Sequence, residues 1–249
     1  MTMNTFFRTD LSEDEFFSLI EFPENYFIFD LETCGFSPRK DLIVEVGWAV
    51  VRDRQIVNCE GMLLDWTRMP WVDQHWLRNQ LLRVERAYTE KGRAWNIPYE
   101  RLADEGVEPL EGLAVMGQLL HESVLDDEWI VGHNAWGFDR RMIDGATSRF
   151  LKLKIPWKPG AIFDTGLMEK AAQLHRPQQP GESRDEWYGR VSANRASIQW
   201  NLDGHCVQKY KLVERFNLDL SEMHQAGFDC IFTHCLFETF RQIAEAYDG

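Results

Sequence analysis

Tyr26-Phe27-Ile28-Phe29-Asp30-Leu31-Glu32-Thr33 is the stretch on which the reading turns. Its first four residues form a compact apolar run, the mark of a strand in the middle of a sheet. Side chains alternate along a strand, so Asp30 and Glu32 fall on one face. Two like charges at the end of a buried strand are costly unless a cation neutralises them. An isolated Asp-x-Glu is more often a solvated strand end, here with a Thr33-Cys34-Gly35 turn behind it. What else the chain supplies decides between the two.

Outward from this strand, residues 43–51 and 55–64 read as two more, with Asp53-Arg54 at a hairpin turn between them. Upstream, Ser12-Glu13-Asp14-Glu15 is a capping-box pattern that starts a short helix. Helices are expected over residues 70–88, 110–125 and 136–150, and short strands over 128–132 and 161–164. A helix through residue 174 follows the last strand. Residues 176–200 are rich in Pro, Gly, Gln and Ser and read as a loop or irregular insertion. Residues 202–215 and 221–247 read as terminal helices. Three strands followed by alternating helices and strands predict an α/β domain with a mixed sheet. A single domain is expected over residues 1–249, with an approximate core of 23–249 and insertions near 66–101 and 176–200.

With 249 residues, 44% of them apolar and 27% charged, the composition is that of an ordinary globular protein. No apolar run approaches the roughly 20 residues of a membrane helix. Residues 1–10 lack a basic start followed by an apolar block, so a cytoplasmic protein without membrane association is expected. The five cysteines contain no CxxC, which argues against a disulfide framework. His205/Cys206 and His234/Cys235 are adjacent pairs, poor spacing for a tetrahedral zinc ion. A formal net charge of −13 argues against a general nucleic-acid coat. It is compatible with a carboxylate metal site, where bound cations restore local positive charge.

Two further stretches bear on Asp30 and Glu32. Gly132-His133-Asn134-Ala135-Trp136-Gly137-Phe138-Asp139 places an acid after a short strand, and His224-Gln225-Ala226-Gly227-Phe228-Asp229 places a histidine five residues before another. Together with Phe29 to Phe36, in this order, they resemble the three motifs of the DEDDh (DnaQ-like) 3′→5′ exonucleases of the ribonuclease H-like superfamily. The similarity runs from about Tyr26 to Tyr247. The spacing from Asn134 to Asp139 is closer to that of oligoribonucleases than to that of many relatives.

The resemblance implies a ribonuclease H-like mixed five-stranded sheet flanked by helices. It implies that Asp30, Glu32, Asp139 and Asp229 hold two divalent cations, Mg²⁺ or Mn²⁺, with Asp30 bridging them. Hard cations select carboxylate oxygens, which suits four acids and no cysteine. Two such ions can serve both oxygens of an in-line phosphodiester displacement. His224 is the expected general base, since a neutral imidazole takes a proton from water near physiological pH. Leu31, Thr33, Asn134 and Phe138 are expected at the substrate, although turn stabilisation for Asn134 and core packing for Phe138 stand about level. The expected substrate is single-stranded DNA or RNA with a free 3′ end, released as nucleoside 5′-monophosphates.

Residues 68–101 carry Arg68, Arg78, Arg83, Arg86, Lys91, Arg93 and Arg101 against Asp73, Glu85, Glu90 and Glu100, an excess of three positive charges. They are interleaved with Trp66, Trp71, Trp76, Tyr88 and Trp95. Cations with aromatic platforms suit a single-strand path. An amphipathic helical pair with a buried aromatic face is the competing reading. The tryptophans lean towards burial, and Arg78, Arg83 and Arg86 towards nucleic acid. The alternative function is a non-catalytic nucleic-acid-binding or regulatory module on the same fold. A decayed enzyme would be expected to have lost one of the four acids or the histidine, and all five are present.

Overall fold

The computed structural model describes residues 11–248. β1 (Tyr26–Thr33) is the middle of a five-stranded sheet completed by β2 (Ile43–Arg52), β3 (Gln55–Leu63), β4 (Trp129–Gly132) and β5 (Ile162–Asp164), in the order β3-β2-β1-β4-β5. β2 runs antiparallel to β1 and β3, while β4 runs parallel to β1 and β5. Asp53 and Arg54 both have positive φ, 47° and 66°, as a two-residue hairpin turn between β2 and β3 requires.

The helices are α1 (Glu13–Ser18), α2 (Gln74–Thr89), α3 (Tyr99–Glu105), α4 (Pro109–Leu125), α5 (Arg140–Ala146), α6 (Thr165–Gln173), α7 (Arg184–Ser192), α8 (Val207–Lys209), α9 (Leu212–Phe216) and α10 (Ala226–Asp248). They divide between the two faces of the sheet, and the alternation of β1 shows how. Tyr26 and Ile28 pack with apolar residues of α1, α6, α7 and α10. Phe27, Phe29 and Leu31 pack with those of α2, α3, α4 and α5. Asp30 and Glu32 continue the Tyr26/Ile28 series, so they lie on the α10 side of the sheet. The fold is a ribonuclease H-like α/β fold, as expected. Among the described residues no helix is long and apolar enough to cross a membrane, and all five cysteines are free.

Four expectations need correction. α2 begins at Gln74 rather than residue 70, because the Asp73 carboxylate accepts from the Trp76 amide and caps the helix there. Residues 176–200 are not an irregular insertion, for they contain α7. That helix is started by a capping box between Ser183 and Glu186, and Trp187, Tyr188 and Val191 anchor it in the core. Residues 202–215 are not one helix. A π-helical turn (Leu202–Cys206), α8 and α9 are separated by Lys211 in the left-handed region, φ 52°. Nor is the helix expected from residue 221 continuous: a 3₁₀ turn (Leu220–Glu222) is followed by His224 at φ 65°, and α10 begins only at Ala226.

Candidate metal and nucleic-acid site

β1 delivers Asp30 and Glu32 to the floor of a cavity of about 250 Å³. A bulge between Glu32 and Thr33 ends regular pairing with β2 at this point. The Thr33 hydroxyl donates to the Gly35 carbonyl at 2.7 Å and turns the chain away. Asp139 arrives from the neighbouring strand. After β4, Asn134 takes a left-handed conformation (φ 65°) and a π-helical turn (Ala135–Asp139) carries the acid inwards. The buried Asp164 carboxylate fastens this turn, accepting from the amides of Asn134 and Trp136, both at 3.0 Å, and of Leu167 at 2.9 Å. Burial pushes its pKa up to about 6 against those hydrogen bonds.

α10 supplies Asp229, and its seating is set by glycine. A Cβ on Gly47 of β2 would lie 2.1 Å from the Ala226 carbonyl carbon, and Gly227 lies against the backbone of Glu60 and Gly61 on β3. The helix start therefore rests directly on the sheet. Glu45, paired in register with Glu32, accepts from the Ala226 amide at 2.9 Å and caps the helix from across the sheet.

His224 precedes this seat. Its backbone amide donates to Asp229 Oδ1 at 3.2 Å, and its Nδ1 lies 4.0 Å from Asp229 Oδ2. On the other side of the ring, Nε2 lies 3.5 Å from Asp203 Oδ2, and Asp203 is in turn paired with Arg93 at 2.5 Å. Tyr88 of α2 meets the imidazole edge-on, with centroids 4.7 Å apart. Burial, more than any charge, lowers the imidazole pKa; Asp203 opposes this and Arg93 adds to it. Burial thus favours the neutral ring.

The four acids are electrostatically strained. Burial raises the pKa of Asp30, Glu32, Asp139 and Asp229 well above the carboxylate range. The largest additional causes are Asp139 for Asp30, Asp30 and Asp229 for Glu32, Asp164 for Asp139, and Asp30 for Asp229. Among the described residues no lysine or arginine forms an ion pair with any of them. Donor atoms of Glu32, His224 and Asp229 lie within 4.8 Å of one another. That approaches the separation of opposite ligands on one small cation, about twice a 2.1 Å bond. The carboxylate donors are hard and the missing ingredient is positive charge, so the site fits divalent cations.

Nine of the twelve residues singled out in the sequence line this one cavity: Asp30, Leu31, Glu32, Thr33, Asn134, Phe138, Asp139, His224 and Asp229. Arg78, Arg83 and Arg86 do not. They are exposed on α2, and Arg78 is turned towards α3, paired with Glu100 at 2.6 Å and lying over the Tyr99 ring. The face of α2 turned to the cavity carries Val84 and Tyr88, and the cation on its wall is Arg93. Sequence reading missed Asp203, Asp164 and Glu45 as supports. None lies in a quoted motif, although Glu45 follows the expected β2 pattern as a lone acid in an apolar run.

No protein-family model and no curated protein sequence matches the chain. Solved structures do. The zinc-bound form of an Escherichia coli exonuclease I–single-stranded DNA complex superposes with a TM-score of 0.57 at 14% identity, over 90% of this chain and 42% of that one. E. coli exonuclease I in complex with a dA16 oligonucleotide gives 0.56 at 13% identity, over 90% and 43%. The chain thus spans less than half the length of these exonuclease I chains. It shares their ribonuclease H-like fold.

Proposed function

We propose that the protein is a metal-dependent 3′→5′ exonuclease of the DEDDh type, acting on single-stranded DNA or RNA with a free 3′ end. One observation carries this reading: four mutually repelling carboxylates, three of them buried, and a histidine converge on one cavity, and among the described residues no lysine or arginine is paired to the acids. The shared fold with exonuclease I, a protein seen with single-stranded DNA, supports the substrate class.

On this reading Asp30, Glu32, Asp139 and Asp229 would hold two divalent cations, Mg²⁺ or Mn²⁺. Those cations supply positive charge to the attacking and leaving oxygens of the phosphodiester. The chain's own groups do the rest. With its proton on Nε2, 3.5 Å from Asp203 Oδ2, His224 would leave Nδ1, which lies 4.0 Å from Asp229 Oδ2, free to take the proton of the attacking water. Asp203, itself held by Arg93, then steadies the imidazolium. Thr33, Leu31 and Asn134 line the space for the terminal nucleotide. Phe138, edge-on to Phe36 at 5.9 Å, offers its ring to a base.

The test is degradation of 3′-labelled single strands of DNA and of RNA, with Mg²⁺ and with excess chelator. Nucleoside 5′-monophosphates should appear only with the metal, and a 3′-phosphate should slow their release. Undiminished cleavage in chelator, or rapid cutting of a circular strand, would refute the reading.

A further inference from the structure

Two elements that line the catalytic cavity run on together to a second depression. α2 contributes Val84 and Tyr88 to the cavity, and the turn after β1 contributes Gly35 and Phe36. The N-terminal end of α2 and the far end of that turn then flank a depression of about 440 Å³. Its walls include Lys40, Leu42, Trp71, Trp76, Arg149 and Phe150.

This depression is aromatic, basic and built. Trp71 is 53% exposed, whereas Trp66 behind it is fully buried. Trp71 is held by Trp66 (centroids 5.8 Å apart, 77°) and by Phe150 (5.3 Å, 36°). The Arg149 guanidinium lies 4.1 Å over the Phe150 ring. It donates to the carbonyls of Arg39 at 2.8 Å and Asp41 at 3.0 Å, which fastens the turn. Among the described residues neither Arg149 nor Lys40 forms an ion pair. The acid on the wall, Asp73, is engaged as the α2 cap.

We propose that this shelf is a subsite for the substrate strand: Trp71 stacks a base upstream of the 3′ end, while Lys40 faces its phosphates and Arg149, its guanidinium committed to the turn carbonyls, adds positive charge behind the Phe150 ring. A single strand needs this pairing of an aromatic platform with unneutralised cations. Trp76 and Val84 are eight residues apart on α2, about 12 Å at 1.5 Å per residue. That is about three to four nucleotides at 3.4 Å per stacked step. The subsite rests on the exonuclease reading and deepens it by setting a preferred substrate length.

The experiment compares an 8-mer with a 3-mer single strand on the parent, Trp71→Ala, Trp71→Phe and Lys40→Gln. Trp71→Ala should raise KM for the 8-mer by roughly 5- to 100-fold, the scale of one lost base–aromatic stack, with kcat unchanged. The 3-mer should be unaffected, and Trp71→Phe should recover most of the loss. Lys40→Gln should flatten the salt dependence of 8-mer binding by about 0.7 in the log–log slope. Equal losses at both lengths would make Trp71 a structural residue only and overturn the subsite. So would an unchanged 8-mer KM, an unchanged slope, or a dimer that Trp71→Ala abolishes. A parent unable to degrade 3′ ends would sink the exonuclease reading instead. The shelf would still be decided by anisotropy of both strands on the Asp139→Asn background, with and without Trp71→Ala.

Discussion

Gly47→Ala is the most direct test of how the site is assembled. The added methyl would sit 2.1 Å from the Ala226 carbonyl carbon, 2.3 Å from the Gly227 nitrogen and 2.4 Å from the Ala226 oxygen. Carbon atoms settle at about 3.5–4.0 Å, so the backbone must part by on the order of 1.5 Å. No flexible side chain can yield at the three nearest contacts, because all three are main chain. Overpacking costs about 1–3 kcal/mol, and a contact with backbone belongs at the upper end. For a chain of this size about 3 kcal/mol lowers Tm by about 6–12 °C. The displaced segment carries His224 two residues before Ala226 and Asp229 three after it. A misplacement of about 1 Å can cost on the order of 10²-fold in rate, so kcat of the folded fraction should fall by that factor. Calorimetric melting beside single-turnover degradation of a 3′-labelled strand is the assay. Gly189→Ala is the control, since its methyl would meet nothing within 4 Å in α7; it should leave turnover alone and gain roughly 0.5–1 kcal/mol. Parental Tm and turnover in Gly47→Ala would show that α10 is not seated on β2 as described. A lower Tm with unchanged turnover would show that the seating does not set the chemistry.

His224→Ala should lower turnover by roughly 10²–10⁴-fold while changing metal affinity little, read by calorimetric titration; loss of metal binding would make the imidazole a ligand instead. Asp30→Ala should lose metal binding and activity together, and retained metal affinity would remove Asp30 from the cation site. Asp30, Glu32, Asp139, Asp229 and Glu45 all hold their protons more tightly folded than unfolded, with Glu45 pushed up to about 7. Their stabilising contribution is therefore complete at acid pH and is lost as pH rises through the folded values, so Tm in chelator should fall as pH rises above the ordinary carboxylate range, with the Glu45 part of the loss centred on about pH 7. Excess Mg²⁺ at the higher pH should restore it, and a chelator profile flat above that range would contradict the strain. Replacing Arg78 and Arg86 by glutamine should leave the salt slope for a 3-mer unchanged, whereas Arg93→Gln should weaken binding; the reverse pattern would put the strand on the outer face of α2.

The acids and the histidine proposed for the site stood out because each lies in or beside an element with a local signature. The apolar run before Asp30 marks the strand, and Gly132 to Asp139 marks the exit from the next one. What escaped was carried by long-range contacts. Asp203 meets His224 from 21 positions away through a broken helix, and Glu45 meets Ala226 from across the sheet. α7 was hidden by its Pro-, Gly- and Gln-rich flanks, although Ser183 and Glu186 stood three apart as a capping box should. The break at His224 was masked because the apolar pattern of α10 seems, in the linear chain, to begin earlier than the backbone allows. The tryptophans of the 66–101 segment divided: Trp66 went to the core as expected, and Trp71 did not.

The last helix has a temporal consequence. All five strands are complete by Asp164, and three of the four acids are already in hand. The face of the sheet bearing Tyr26, Ile28, Ala49 and Val51 nevertheless stays only partly covered until Phe232, Leu236, Phe237 and Phe240 of α10 pack onto it. During synthesis, N-terminal regions fold first, and this polypeptide spends the interval with a sticky surface and an incomplete set of acids. The helix that ends that exposure also brings Asp229, with His224 just ahead of it. The last of the four acids and the cover of this face thus arrive in a single event, and a ribosome stalled before α10 would display a sheet that binds chaperones.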